Sequence, residues 1–412
     1  MTARTGITID PSAFFDTVRT PGFRTDPYPF YAALRERLPV VRVESGGWLV
    51  TRYADVLTVL RDPALSTDPR RSGLHEKYAS ERTEGTLGEQ AFSHFQFLDP
   101  PAHDRVRAEF AVPFGPGEIK ALAPLVERHT HRLLDEMARA GGTVDLVTVL
   151  AEPLPIAVIL DVLGLPQADA ADVAAWAQHL IANDDPDLLV APERRVAAAT
   201  AATEFGRYLA RHAVSGAGRS GNGLLRTVLD AHRGGRLSLN DVLVNLMFVV
   251  VASLETSAGL IGNGVAALLD APEARGRLAR DPGLAAPAVE ELLRLDSPIQ
   301  YTPRFTVADY RIGETIVPAG SHLMAMVGAA NHDPEIFTTP DTLDIDRRGR
   351  RHVGFGGGVH YCMGAALARM EGCTVFPALF ARFPELRAAG APQRREMFTL
   401  RSLSSLPVHL GQ

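Results

Sequence analysis

Phe355-Gly356-Gly357-Gly358-Val359-His360-Tyr361-Cys362-Met363-Gly364 is the stretch that decides how this chain folds. Successive glycines permit a tight turn and let the backbone approach a flat ligand closely. Cys362 follows them at the expected start of a helix, where free N–H groups favour an anion and lower a thiol's pKa. A thiolate placed there either attacks a substrate or binds a metal, and His360 is near enough in sequence to act as its base. Two plainer readings compete: a buried cysteine that only packs, and a phosphate-binding turn. The second has no nearby lysine and no clear feeding strand, and it spells neither a Walker nor a dinucleotide pattern.

Outward from this stretch the pattern is mostly helical. A helix is expected from about 363 to 383, with Cys373 on it as a small buried hydrophobe. Upstream, Ser238 and Asp241 form a capping-box pattern that opens about thirty helix-compatible residues, long enough for a central helix through the molecule. Further helices are expected at 30–38, 53–60, 102–111, 117–139, 149–163, 168–183, 191–213 and 287–295. A hairpin is expected at 40–43 with 48–51, and strands at 300–307, 310–317 and within 397–410; 321–330 reads as helical or mixed. Residues 63–98 and 331–361 lack a period; a long irregular segment such as 63–98 inside a compact protein is usually either disordered or a functional loop over a site. No repeat or linker divides the chain, so one domain over 1–412 is expected, mainly α with small β-sheets.

The 412 residues carry 46% hydrophobic content, a net charge of -6 and a pI near 6.1. This balance offers nothing to phosphate backbones or anionic membranes, which argues against a nucleic-acid partner. Asp10 and Pro11 interrupt any apolar leader, and the apolar run at 242–252 is too short for a span; a cytoplasmic protein without a membrane anchor is expected. Two cysteines make neither a disulfide scaffold nor a structural zinc site.

Taken whole, the sequence resembles the cytochrome P450 monooxygenases, especially the soluble bacterial class. Residues 355–364 match their haem-binding loop at every fixed position, and Glu291-Leu292-Leu293-Arg294 is similar to their glutamate-x-x-arginine helix. The resemblance implies a triangular helical prism with haem b between the central helix and the loop, Cys362 as the thiolate ligand, and Phe355 and Gly364 shaping the cofactor seat. It implies a propionate clamp of His103, Arg107, Arg304 and His360, and a structural role for Glu291 and Arg294. Glu255 and Thr256, an acid and a hydroxyl in an apolar helix, match the family's acid-alcohol pair for proton delivery.

There are departures from the family pattern. Ser253 stands where glycine is usual, Gly357 where many bacterial members carry histidine, and His332 where arginine is common. Arg347 or His352 is the expected substitute for the missing loop histidine. The family's variable regions contain mostly apolar residues here: Phe92, Phe95, Phe248, Val249, Ala252, Ile299, Tyr301 and Phe398 are the candidate substrate contacts. The implied activity is insertion of one oxygen atom of O2 into an unactivated C–H bond of a polyketide, macrolide or terpenoid intermediate. Electrons would come from a ferredoxin and its NAD(P)H-dependent reductase, and a monomer is expected. Desaturation, aryl coupling or ring closure is the alternative, and a non-enzymatic haem-binding protein a second one.

Overall fold

Ser238 caps the longest element as its sequence suggests. Its Oγ accepts from the Asp241 N–H, and the Asp241 carboxylate accepts from the Ser238 N–H. From this cap one α-helix runs Leu239–Leu269 in the computed structural model, which describes residues 7–73, 93–181, 185–215, 223–349 and 351–411. The helix is long and apolar enough to cross a membrane by composition alone. Here it is a core element instead: Val242, Leu246, Val250, Ile261, Val265 and Leu268 are fully buried under neighbouring protein.

The helices Pro153–Leu163, Ala170–Ile181, Pro192–Ser215, Ala285–Leu295 and Ala365–Arg382 pack directly on this central helix. The last of these follows the Cys362 loop and lies very close. At Gly264 a Cβ would fall 2.5 Å from the Phe376 ring, so only glycine admits the approach. A mixed sheet flanks the helices in the order Val40–Arg42, Trp48–Val50, His322–Ala325, Thr302–Thr306, Leu65–Ser66. Trp48–Val50 and His322–Ala325 are parallel and the other pairs antiparallel. The first pair is the expected hairpin, with Val40 opposite Val50.

The class, mainly α with small sheets, is the expected one. Some elements differ. The helix expected at 117–139 is two, Pro116–Ala121 and Ala123–Ala140, because Pro124 has no N–H to continue the first. Helices Leu224–Arg233 and Pro272–Arg280 were not expected; both are short, and the first carries an apolar face of Leu224, Leu225, Val228 and Leu229 that is buried against its neighbours. The strand at 310–317 is a hairpin of Tyr310–Ile312 and Thr315–Val317. Residues 321–330 are mixed, a strand followed by the helical turn Val327–Ala330. Much of the irregular 63–98 segment lies outside the described residues, and Phe92 with it.

Candidate active site

The Cys362 loop is held by its own backbone. The Cys362 N–H donates to the Phe355 carbonyl at 2.9 Å and the Gly356 N–H to the Val353 carbonyl at 2.9 Å. Gly356 and Gly358 take φ of +73° and +67°, and a Cβ at Gly358 would lie 3.0 Å from the Leu60 carbonyl. Both positions therefore require glycine. Gly357 packs against Arg61, whose Cγ would be 3.1 Å from an added Cβ.

Cys362 opens onto a large cavity, and its helix begins only at Ala365. The expectation of a lowered thiol pKa needs correction. Burial pushes it up, and the N–H groups of Gly364 and Ala365 with the charges of Arg107 and Arg369 offset only part of that rise.

Four basic residues gather beside the loop. His103 and His360 have ring centroids 4.4 Å apart; His103 Nε2 and His360 Nδ1 are enclosed and lack hydrogen-bond partners among the described residues. Arg107 Nη2 donates to the Tyr361 carbonyl at 2.5 Å. Arg304 is buried, donating to the carbonyls of Pro303 and Leu60 at 2.8 and 3.2 Å. Burial drives Arg304 down to about 10, although Asp99 opposes this. Burial, Arg304, His103 and Arg107 drive His360 down to about 3. Clustered bases, His103 and Arg304 buried and Arg107 and His360 half-buried, with enclosed nitrogens on both histidines lacking partners among the described residues, are the donor set an anionic cofactor edge requires.

The Glu291–Arg294 pair is a two-pronged bond, 2.8 Å at each prong, buried in the protein. Arg294 also donates to the carbonyls of Asn331, Pro340 and Thr342, which ties down the irregular segment before the loop. Of the two candidate braces, Arg347 reaches Glu291 at 3.0 Å, while His352 sits 3.3 Å from Glu290 instead. Arg369 bonds Glu290 as well and lies 4.4 Å over the Phe355 ring, fixing that ring beneath the loop. His332 has a structural place: its Nε2–H donates to the Leu295 carbonyl and its ring stacks on Tyr28. Cys373 is half-buried against the core, and burial raises its thiol pKa.

On the central helix Thr256 and Ser253 both face the cavity, and each hydroxyl donates back to its own helix, to Ala252 at 2.6 Å and to Val250 at 2.8 Å. Glu255 is buried and ion-paired with Arg395 at 2.9 Å, and it also accepts from Ser402. Arg395 bonds the more exposed Glu152 too. Sequence reasoning named no partner for Glu255.

It missed a second buried acid altogether. Glu371, on the helix that follows the Cys362 loop, accepts from the Ser257 hydroxyl at 2.5 Å, and burial lifts its carboxyl to about 7. The available clue was an acid four residues after Leu367 and four before Val375, on that helix's apolar face.

Phe95, Phe248, Val249, Ala252, Ile299 and Tyr301 line the cavity as expected. Phe398 is a correction. It packs instead among Phe14, Phe15 and Phe23 and stacks on Tyr301, leaving Thr399 and Leu400 at the cavity wall.

Comparison with known proteins agrees with this geometry. Residues 284–403 match the Cytochrome P450 family model. The chain is 34% identical to Cytochrome P450 107B1 of Saccharopolyspora erythraea, covering 94% of this chain and 96% of that one. It is 31% identical to Polyketide biosynthesis cytochrome P450 PksS of Bacillus subtilis, with 95% and 97% covered. The crystal structure of CalO2 superposes with a TM-score of 0.88 at 32% identity, covering 98% of this chain and all of that one. Helical prism, cysteine loop and central helix thus coincide with one family's fold, and the chain belongs to the cytochrome P450 monooxygenases, whose fold binds haem.

Proposed function

We propose that the protein is a haem b-thiolate monooxygenase that inserts one oxygen atom of O2 into an unactivated C–H bond of a large apolar molecule, a polyketide, macrolide or terpenoid intermediate of secondary metabolism. One observation carries this reading. A single cavity of about 680 Å³ is lined by Cys362, by Thr256 and by Phe97, Phe248, Leu180 and Ile299. Reactive loop, hydroxyl and apolar wall thus face one space. The Bacillus subtilis relative named for polyketide biosynthesis points to the same class.

Haem, when bound, supplies the redox chemistry. Cys362 would hold its iron, and His103, Arg107, Arg304 and His360 its propionates. Phe355 and Gly364 would shape its seat. Neighbouring helical positions point about 100° apart; both Glu255 and Thr256 touch the cavity wall, and only Glu255 is ion-paired with Arg395. The Thr256 hydroxyl donates to Ala252 and keeps its lone pairs for a water or a substrate-side donor. Glu255 takes protons from the side of Arg395 and Glu152, releasing its ion partner as it does so. Glu371, nearly poised at neutral pH, holds a second proton at Ser257. Family membership supports electron supply by a ferredoxin and an NAD(P)H-dependent reductase.

The test is turnover of candidate macrolactones and terpenoids under isotopically labelled dioxygen, with ferredoxin, reductase and NADPH present. Product carrying one labelled oxygen is expected. A product lacking two hydrogens, or a coupled product without label, would select the desaturase or coupling reading. No turnover of any bound compound would select a haem-binding protein.

A further inference from the structure

His94 is a cavity residue whose chemistry the proposed reaction does not use. It precedes the helical turn Phe95–Phe97, which is pinned to the central helix: the Phe95 N–H donates to Asn245 Oδ1 at 2.8 Å, and Asn245 Nδ2 donates to the Asp241 carbonyl at 2.8 Å. The imidazole lies flat on Phe248, centroids 4.2 Å apart and planes within 7°, and Phe97 stands 4.8 Å away on the same ring. Nδ1 is enclosed and has no hydrogen-bond partner among the described residues. The ring lines the cavity, so Nε2 is the nitrogen left to meet a ligand.

We propose that His94 is a specificity-determining residue, a neutral imidazole whose Nε2–H binds an oxygen acceptor, a lactone or ketone carbonyl, on an otherwise apolar substrate. The inference rests on the monooxygenase reading and names the substrate feature that its cavity selects. Burial pushes the imidazole down to about 3, so the ring is uncharged at neutral pH and does not select an anion. Of the two neutral tautomers, the one protonated at Nε2 puts the donor where a ligand can use it. Its aromatic neighbours Phe95, Phe97 and Phe248 offer a carbonyl no hydrogen bond, and Thr203 commits its hydroxyl to the Ala199 carbonyl at 3.0 Å. Stacking on Phe248 fixes the ring before binding, which lowers the entropy a ligand contact must overcome.

The experiment titrates the haem-loaded protein with pentadecanolide, a macrolactone, and with cyclopentadecane, its hydrocarbon counterpart, following the spin-state change of the haem spectrum. Wild type is expected to prefer the lactone. His94→Phe, which keeps the stacked ring and removes both nitrogens, should weaken lactone binding about 3- to 10-fold and change cycloalkane binding less than about twofold. His94→Gln, which keeps a donor, should hold lactone affinity within about threefold of wild type. Equal losses for both compounds, no loss for either, or a wild type without lactone preference would overturn the proposal. The reduced, carbon monoxide-bound spectrum separates the two readings: its loss in wild type would defeat the haem-thiolate reading, whereas an unchanged lactone preference in His94→Phe defeats only the role of His94.

Discussion

The Cys362 loop and the middle of the central helix face the same cavity but are built by opposite means. The loop is fixed by backbone, with Gly356 and Gly358 in left-handed conformations and main-chain bonds from Cys362 to Phe355 and from Gly356 to Val353. The central helix is regular, and what distinguishes it is side-chain traffic: Glu255 with Arg395 and Ser402, Ser257 with Glu371, Thr256 with its own helix. A backbone-fixed loop suits a permanent ligand, whereas exchangeable ion and hydroxyl pairs suit protons that must move. Holding and proton handling should therefore be separable by mutation.

The largest break is Cys362→Ser. Activity should fall by about 1000-fold or more, with loss of the thiolate-type spectrum of the reduced, carbon monoxide-bound protein. Cys373→Ser should leave that spectrum unchanged.

Glu371 comes next. Its folded carboxyl titrates near 7, above the ordinary value of about 4.5 for an unfolded chain. The folded state therefore binds more protons between these values, and stability must fall as pH rises from about 4.5 to about 7, by about 3 kcal/mol at most. Glu371→Gln should flatten that slope, and denaturant unfolding across this pH range measures it. A slope that persists in the variant would place the titrating group elsewhere.

Gly358→Ala forces a Cβ against the Leu60 carbonyl at a positive φ. It should lower stability by about 1–3 kcal/mol and reduce haem content in the purified protein. Full haem content with wild-type unfolding would show that the loop tolerates a side chain.

The smallest effect belongs to Arg395→Gln. The pair with Glu255 is partly open on the arginine side, so its removal should cost about 1 kcal/mol of stability. Haem content and substrate affinity should hold, while turnover falls about 2- to 10-fold, read by product formation at saturating substrate. Unchanged turnover would remove Arg395 from the proton route.

What the sequence made legible follows the same division. The tight turn of the loop, the capping box at Ser238 and the spacing that pairs Glu291 with Arg294 are written in neighbouring residues, while the roles of loop and pair came from resemblance to a family. The four basic residues beside the loop were legible only through resemblance to a family, since His103, Arg304 and His360 lie far apart in the chain. Arg395 and Ser402 were not legible, and Glu371 only as an acid on an apolar helix face, because their partners on the central helix stand more than a hundred residues away. Phe398 misled for a related reason. It sits beside cavity residues in sequence, but the aromatic cluster of Phe14, Phe15 and Phe23 offers it a better apolar contact than the cavity does. Arg61 filling the space at Gly357 is another contact that no local pattern announces.

Thr256→Ala tests the division most directly, because the substitution touches the proton side and leaves the holding side alone. Haem content, the carbon monoxide-bound spectrum and substrate affinity should match wild type. Product formed per NAD(P)H consumed should fall about 10- to 100-fold, the unspent reduction appearing as peroxide or water. A coupling ratio equal to wild type would contradict the account and move the proton work to Ser253 and ordered water.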